Sequence, residues 1–159
     1  MLSYQHGFHA GNKADVLKHA VLHAVLDGER DRNEPLLYVE THAARGFYDL
    51  QSAQSVKTGE AQTGVLAMPK AKRAPRALQP WLAHVQSKGP GSYPGSPALA
   101  TQLLGENARI NLFELHPAEH KALSQALRKD ARGQIKKEDG YRGALRLQPR
   151  RGERMLVML

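Results

Sequence analysis

The run Leu-Leu-Tyr-Val-Glu at residues 36–40, followed by Thr-His-Ala-Ala-Arg-Gly at 41–46, sets the fold class of this chain. The four apolar residues follow Pro35 and show no alternation with polar residues. Such a run is typical of a strand that is buried on both faces, as in a parallel sheet. We therefore predict a parallel strand that ends at an acidic residue, Glu40, and continues into a loop of small residues.

Three further apolar runs, each preceded by an amphipathic segment, follow this strand along the chain. The predicted strands lie at 36–39, 110–113, 134–137 and 155–159, and the predicted helices at 96–105, 116–128 and 141–147. Ser96 and Pro97 open the first of these three helices as a typical N-cap and first-turn residue. Alternation of this kind predicts an α/β fold with a doubly wound parallel sheet.

Another helix precedes the first strand, from about Asn12 to Asp27, with Asn12 as its N-cap and Gly28 as its stop. Apolar residues recur there at a spacing of three to four and predict the buried face: Val16, Leu17, Ala20, Val21, Ala24 and Val25.

Residues 50–95 interrupt the alternation. Four basic residues cluster near Pro69 and Pro75, a short helix follows around Trp81, and 89–95 read as a loop. We interpret residues 50–95 as a basic helical insertion. Residues 1–49 then form the arm, first helix and first strand of the main domain, and residues 96–159 continue it.

Composition limits the possible functions. The 159 residues include 23 Lys and Arg against 15 Asp and Glu, a net charge of +8, and no Cys. The lack of Cys excludes a disulfide framework, Cys-ligated zinc and a Cys nucleophile. Excess basic charge favours a polyanionic partner slightly over a surface that only aids solubility.

No apolar run approaches the ~18 residues of a membrane span, and no secretion signal is visible, so we predict a soluble cytoplasmic protein without membrane contact. The oligomeric state stays open.

Acidic residues follow three of the four predicted strands: Glu40, Glu114 and Asp139. Ligands of open α/β sheets bind beyond the carboxyl ends of the strands. Carboxylates at this edge are suited to accept hydrogen bonds from ribose hydroxyls or an adenine amino group. The pattern therefore favours a nucleoside cofactor.

Five blocks of sequence occur in a distinctive order: Tyr4-Gln5-His6-Gly7-Phe8-His9-Ala10-Gly11-Asn12-Lys13-Ala14-Asp15-Val16-Leu17-Lys18-His19, Glu40-Thr41-His42-Ala43, Tyr93-Pro94-Gly95-Ser96-Pro97, Glu114-Leu115-His116-Pro117 and Asp139-Gly140. In this order and spacing the chain resembles the bacterial large-subunit ribosomal RNA methyltransferase J family from Met1 to Leu159. The first and third blocks are the most specific.

The resemblance implies S-adenosylmethionine-dependent methylation of an adenine N6 in 23S rRNA, by a class I, Rossmann-like methyltransferase fold with a small helical insertion. It places six residues around the cofactor: His19, His42, Ser96, Glu114, Asp139 and Gly140. It places Tyr4 against the rRNA. On this interpretation Glu114 accepts from the ribose hydroxyls, Asp139 accepts from the adenine amino group, and the basic insertion binds RNA.

Two features depart from the family pattern. The loop after the first strand has Ala44-Arg45 where the family usually has a further glycine, and Ala44 avoids strain only if its φ is negative. The family's fourth strand continues into an Asp-Pro-Pro-aromatic motif, whereas this chain ends at Leu159. We therefore expect a sheet truncated after an exposed fourth strand, no catalytic residue within the chain, and an inactive fragment.

Alternative interpretations remain. His19 with His23 and His116 with His120 have the i, i+4 spacing of metal ligands, as in a metal hydrolase, but neither pair has the Glu of a zincin motif. We therefore predict no metal, and a hydrogen-bonded core role for His19 is also consistent with its position. A non-catalytic RNA-binding module needs only the basic insertion. The arginines of the last segment fit either RNA phosphates or a solvated face: Arg142, Arg146, Arg150, Arg151 and Arg154.

Overall fold

A computed structural model describes residues 5–159, which form two compact units. The sheet unit comprises Leu26–Gly46 and Ser96–Leu159, and the helical unit comprises the described residues up to Val25 together with Phe47–Gly95. The predicted division at 1–49, 50–95 and 96–159 stays a prediction.

The helices and strands, in chain order and apart from short 3-10 turns, are α1 (Lys13–Glu29), β1 (Leu36–Glu40), β2 (Phe47–Asp49), α2 (Ala53–Thr58), α3 (Glu60–Thr63), α4 (Gln79–Gln86), β3 (Ser92–Pro94), α5 (Ser96–Leu103), β4 (Ala108–Phe113), α6 (Pro117–Ala126), β5 (Gly133–Lys136), α7 (Gly140–Leu145) and β6 (Arg154–Met158). Every predicted helix and strand is present, with ends shifted by a few residues.

The sheet unit contains a parallel four-stranded sheet in the order β5-β4-β1-β6. β1 lies inside the sheet, where Tyr38 is in register with Ile110 on one side and with Leu156 on the other. All five of its residues are buried, which confirms the prediction from its continuous apolar run. The carboxyl ends of all four strands therefore lie at one edge of the sheet.

The apolar run at 155–159 alone favours a buried strand, but the expectation of an exposed fourth strand is the one that is confirmed. β6 lies at the side of the sheet, and Met155 and Val157 on one of its faces are 36% and 40% exposed. A strand with a single partner keeps only part of its surface away from water. Leu37 and Val39 of β1 pack with Phe113 of β4 in a buried core cluster.

The predicted buried face of α1 is wrong except at Ala20, which is buried, and Val16, which is half-buried. Leu17, Val21 and Val25 are exposed, whereas the buried side of the helix contains Asp15 and His19, together with Ala20, Leu22, His23 and Leu26. The spacing of apolar residues identifies an apolar face of a helix. It does not show that polar residues on another face have hydrogen-bond partners inside the protein and are therefore buried.

The ends of α1 differ from the prediction at one end only. The Asn12 side chain accepts a 2.9 Å hydrogen bond from the backbone N–H of Asp15, which confirms the N-cap. The predicted stop at Gly28 is wrong, because the helix continues to Glu29.

The helical unit pairs β2 with β3 in an antiparallel arrangement. Residues 92–94 were predicted as part of a loop, and the three-residue strand is too short to show a period in a segment rich in Gly and Pro. The short helix predicted around Trp81 is present as α4, and Trp81, Leu82 and Val85 of this helix are buried. No helix of residues 5–159 has the length and apolar character needed to cross a membrane.

Candidate functional site

The loop after β1 crosses the carboxyl edge of the sheet. The backbone N–H of Thr41 donates to the carbonyl of Met158 at the end of β6, at 3.1 Å. The N–H of Ala43 donates to the carbonyl of Phe113 at the end of β4, at 3.0 Å. The N–H of Glu114 donates to the carbonyl of Lys136 at the end of β5, at 3.1 Å. The ends of three strands therefore meet at the carboxyl edge of the sheet, the rim, as the prediction for open α/β sheets requires.

The Glu114 carboxylate is held at this rim by two backbone N–H groups. Ala44 donates to Oε2 at 2.7 Å, and His116 donates to Oε1 at 2.7 Å. The residue is half-buried. A carboxylate oxygen has two lone pairs, so each Glu114 oxygen keeps one acceptor site after these bonds. The carboxylate is therefore fixed in orientation and still able to accept hydrogen bonds from a ligand.

The Glu114 contact depends on a left-handed residue in the loop. Ala44 has φ of +51°, and it is the only non-glycine residue with positive φ in the described part of the chain. The condition for an unstrained Ala44, a negative φ, is therefore not met. For an L-residue with a Cβ this conformation costs about 1–2 kcal/mol.

An ion pair fixes the same loop to α6. Arg45 Nε donates to Glu119 Oε2 at 2.8 Å, and its Nη2 donates to Oε1 at 2.5 Å. The Glu119 side chain is only 3% exposed, so the Arg45 guanidinium forms a bidentate ion pair with a buried carboxylate. Sequence reasoning missed this pair, since Glu119 reads as an ordinary acidic residue in the first turn of a helix.

Glu40 does not face a ligand in the way the strand-end pattern suggested. It is buried, and Tyr38 donates its hydroxyl to Oε2 at 3.1 Å while Ser96 donates its hydroxyl to Oε1. The pattern of three ligand-facing acids is therefore wrong for Glu40. Ser96 is predicted as an N-cap, yet its side chain is turned to Glu40 at the start of α5. Because both of its oxygens accept hydrogen bonds from neighbouring hydroxyls, Glu40 contributes to the structure of this edge of the sheet.

Asp139 and Gly140 lie at the start of α7. Asp139 is exposed, and its Oδ1 caps the helix by accepting from the N–H of Arg142 at 2.9 Å. Gly140 is buried directly against the β1 loop, because a Cβ at this position would lie 1.9 Å from the carbonyl oxygen of Thr41. The sheet unit thus brings the Asp139 carboxylate to the edge where Glu114 is held.

His42 lies in the loop after β1, next to Thr41. Its Nδ1 is 2.8 Å from the Thr41 hydroxyl, and its ring meets the Tyr141 ring at 5.0 Å in an edge-on arrangement. The imidazole is exposed. Of the predicted cofactor residues, five therefore belong to the sheet unit: His42, Ser96, Glu114, Asp139 and Gly140.

His19, the sixth predicted cofactor residue, belongs to the helical unit. It is 1% exposed, and its Nδ1 shares a 2.6 Å hydrogen bond with the Tyr93 hydroxyl. Its Nε2 lies 4.0 Å from Asp15 Oδ1. Burial lowers the pKa of His19 to about 3, although the Asp15 carboxylate opposes this shift. His19 is therefore neutral at pH 7.

Asp15 is the centre of this buried network. It accepts from His6 Nε2 at 2.8 Å and from the N–H of Gly11 at 2.9 Å, and Lys18 Nζ lies 3.1 Å away. Burial acts to raise the pKa of Asp15, but the His6 hydrogen bond and the nearby positive groups outweigh it and hold the pKa well below its usual range. Asp15 and His19 have the i, i+4 spacing of neighbours on one helix face, which is the sequence signal for this pair.

Acidification is expected to destabilise the fold through His19. Between the ordinary pKa of 6.5 and the lowered value of about 3, the unfolded chain binds a proton at His19 that the folded chain does not. The free energy of unfolding therefore falls as the pH decreases through this window, by more than about 1 kcal/mol at pH 4. His19→Gln should flatten the change in Tm between pH 7 and pH 4, and His120→Gln on α6 should not. An equally steep change in His19→Gln would contradict this origin.

Two predictions remain, the rRNA contact of Tyr4 and the lack of a metal site. Tyr4 lies outside the described residues. Residues 5–159 contain no cluster of three or more His, Asp or Glu side chains arranged to hold a metal ion.

Comparisons with known proteins agree with this architecture. The sequence model of the family described as "Ribosomal RNA large subunit methyltransferase D, RlmJ" matches residues 33–159. The Ribosomal RNA large subunit methyltransferase J of Escherichia coli K12 is 36% identical over 163 residues, and that of Haemophilus influenzae Rd is 34% identical over 164. Both alignments cover 100% of this chain and 58% of the relative, so the chain spans little more than half of their length.

A solved structure shows the same fold. A crystal structure of a Legionella pneumophila protein superposes with a TM-score of 0.77 at 29% identity, covering 94% of this chain and 57% of that one. The parallel sheet is thus the Rossmann-like sheet of class I methyltransferases. On its sequence match and its fold, the chain belongs to the ribosomal RNA large subunit methyltransferase J family.

Proposed function

We propose that this chain binds S-adenosylmethionine at the carboxyl edge of its sheet, and that the whole protein methylates N6 of an adenine in 23S rRNA. The names of its relatives support the reaction class and the rRNA substrate. The observation that carries the proposal is the Glu114 carboxylate, which two backbone N–H groups hold at the rim with acceptor sites remaining.

The geometry supports a separate role for each rim residue. Glu114 accepts hydrogen bonds from the two ribose hydroxyls, because its fixed oxygens each retain a lone pair. Asp139 uses Oδ1 for its helix cap, which leaves Oδ2 as the acceptor for the adenine amino group. Gly140 places the start of α7 directly on the β1 loop, where a side chain has no room. His42 offers an exposed imidazole on the β1 loop, where it is bonded to the Thr41 hydroxyl.

The other assignments rest on family resemblance alone. Ser96 reaches the rim through its bond to Glu40. His19 is held neutral and oriented by Tyr93, so it contributes a fixed hydrogen-bonding ring and no charge. Tyr4 is assigned to the rRNA base. The bound cofactor would supply an electrophilic methyl group, and the residues of this chain would bind and orient it. The sequence contains no Asp-Pro-Pro-aromatic motif, so no catalytic residue is assigned within it.

Cofactor binding tests the proposal. Titration calorimetry of the 159-residue chain with S-adenosylmethionine should show binding, and Glu114→Gln should raise the Kd about 10- to 100-fold, since hydrogen bonds to a charged group contribute about 1.5–3 kcal/mol. Glu106→Gln, an exposed acid just before β4, is the matched control and should bind as the unaltered chain does.

Thermal denaturation of the same samples separates binding from folding. A folded Glu114→Gln variant with unchanged affinity would remove Glu114 from the site. A folded unaltered chain that binds no S-adenosylmethionine would contradict the cofactor assignment and favour the RNA-binding module.

A further inference from the structure

We infer that an exposed basic surface of the helical unit, formed by Lys70, Lys72, Arg73 and Arg76, binds the phosphate backbone of RNA without reading its sequence. The identity of the polyanion as RNA rests on the proposed function, whereas the surface itself rests on charge, exposure and backbone contacts. All four side chains are exposed. They lie within seven residues: Lys70 directly precedes the 3-10 turn Ala71–Arg73, which contains Lys72 and Arg73, and Arg76 begins the next turn, Arg76–Leu78.

The basic surface has no internal counter-charge. Residues 61–105 contain no Asp or Glu. Within residues 5–159, no carboxylate forms an ion pair with any of the four basic side chains. The sheet unit differs, because seven of its arginines form ion pairs: Arg30, Arg32, Arg45, Arg109, Arg132, Arg146 and Arg154. The uncompensated charge of the helical unit is therefore concentrated on this surface.

Two glutamines of α4 hold the backbone that carries these charges. The Gln86 amide donates to the carbonyl of Pro69 and accepts from the N–H of Ala71, both at 3.0 Å. Gln79 donates to the carbonyl of Ala74 at 2.8 Å, and Ala74 is buried. These bonds fix the segment at its start and its middle. A fixed backbone reduces the entropy lost when several charges bind one extended partner.

The contacts expected from this surface are with phosphates rather than bases. Sequence-tolerant binding of unpaired bases uses exposed aromatic rings. The aromatic residues of 50–95 are Trp81 and Tyr93, and they are 1% and 0% exposed. Lysine and arginine contacts to phosphates contribute affinity and register but no sequence information. The surface would therefore hold RNA in place while a different part of the protein selects the base.

Salt-dependent RNA binding tests this inference. The probe is a fluorescein-labelled 20-base-pair RNA duplex, followed by fluorescence anisotropy between 50 and 200 mM KCl. The surface variant replaces Lys72, Arg73 and Arg76 by Gln. The matched control replaces Lys121, Arg128 and Lys129 by Gln, which removes the same charge from exposed positions of the sheet unit. Since each phosphate contact contributes about one to the slope of log K against log[salt], the surface variant should lower that slope by about three and raise the Kd at least tenfold. The control should change the Kd less than twofold.

Several outcomes overturn the inference. Equal losses in the surface variant and the control would mean that only net charge matters. A more than tenfold preference between two duplex sequences, lost in the surface variant, would mean that the surface reads bases. Loss of binding to vesicles of 30% phosphatidylglycerol in the surface variant, with its RNA binding intact, would assign the surface to a membrane.

Calorimetry of the same samples with S-adenosylmethionine separates this inference from the proposed function. Retained cofactor binding with unchanged RNA binding in the surface variant would refute only the surface. Absent cofactor binding in the unaltered chain would refute the cofactor site, and the RNA measurements would still decide the surface.

Discussion

Gly140→Ala is expected to destabilise the fold by about 3 kcal/mol and to remove cofactor binding. The new Cβ would lie 1.9 Å from the carbonyl oxygen of Thr41 and 2.6 Å from its carbonyl carbon. These are backbone atoms, and the Thr41 N–H is bonded to Met158 on β6. Moving them would displace the whole β1 loop from the strand ends. Overpacking against groups that cannot move is among the large effects of single substitutions.

Thermal and urea denaturation measure the stability of Gly140→Ala, and calorimetry with S-adenosylmethionine measures its binding. Gly28→Ala is the matched control, since a Cβ at Gly28 meets no atom within 4 Å and alanine favours the α1 helix by about 1 kcal/mol. A Gly140→Ala variant as stable as the unaltered chain would contradict the close packing of α7 on the loop.

The sequence was sufficient to predict the sheet because its strands are simple. β1 is an uninterrupted apolar run, and burial on both faces leaves a parallel sheet as the natural arrangement. The rim followed from topology alone, since parallel strands end at the same edge. Glu114 was therefore placed correctly at the rim, with no knowledge of its partners.

The hydrogen-bond partners of buried polar side chains were beyond prediction. Glu40 carries the same strand-end signal as Glu114, and only the hydroxyls of Tyr38 and Ser96 show that it is buried. The wrong face of α1 has a similar cause, because Asp15 is acceptable inside the protein only with His6 and Gly11 as partners. Local patterns report which environment a residue prefers. A pair such as Ser96 and Glu40 forms only because the fold brings distant segments of the chain together.

Arg45→Met is expected to destabilise the fold by about 3–5 kcal/mol, because it leaves the Glu119 carboxylate buried without its ion partner. Glu119 receives both hydrogen bonds of the Arg45 fork, and its side chain is only 3% exposed. Denaturation by urea at pH 7 measures the loss. Arg30→Met is the matched control, since Arg30 and Asp27 form an exposed pair 3.4 Å apart, whose contribution is about 0–1 kcal/mol. An equal loss in both variants would show that the Arg45 pair has no special role.

A double variant separates the charge of this pair from its effect on the loop. Replacing both partners of a buried ion pair by apolar residues is often nearly neutral, so Arg45→Met with Glu119→Leu should recover most of the stability. The strained Ala44 would then lack its neighbouring anchor, and relaxation of its φ would withdraw the N–H from Glu114. The recovered protein should therefore bind S-adenosylmethionine several-fold more weakly than the unaltered chain. Adding Ala44→Gly removes the cost of the left-handed conformation and should restore part of that affinity. Full affinity in the double variant would mean that the Glu114 contact needs no anchor at Arg45.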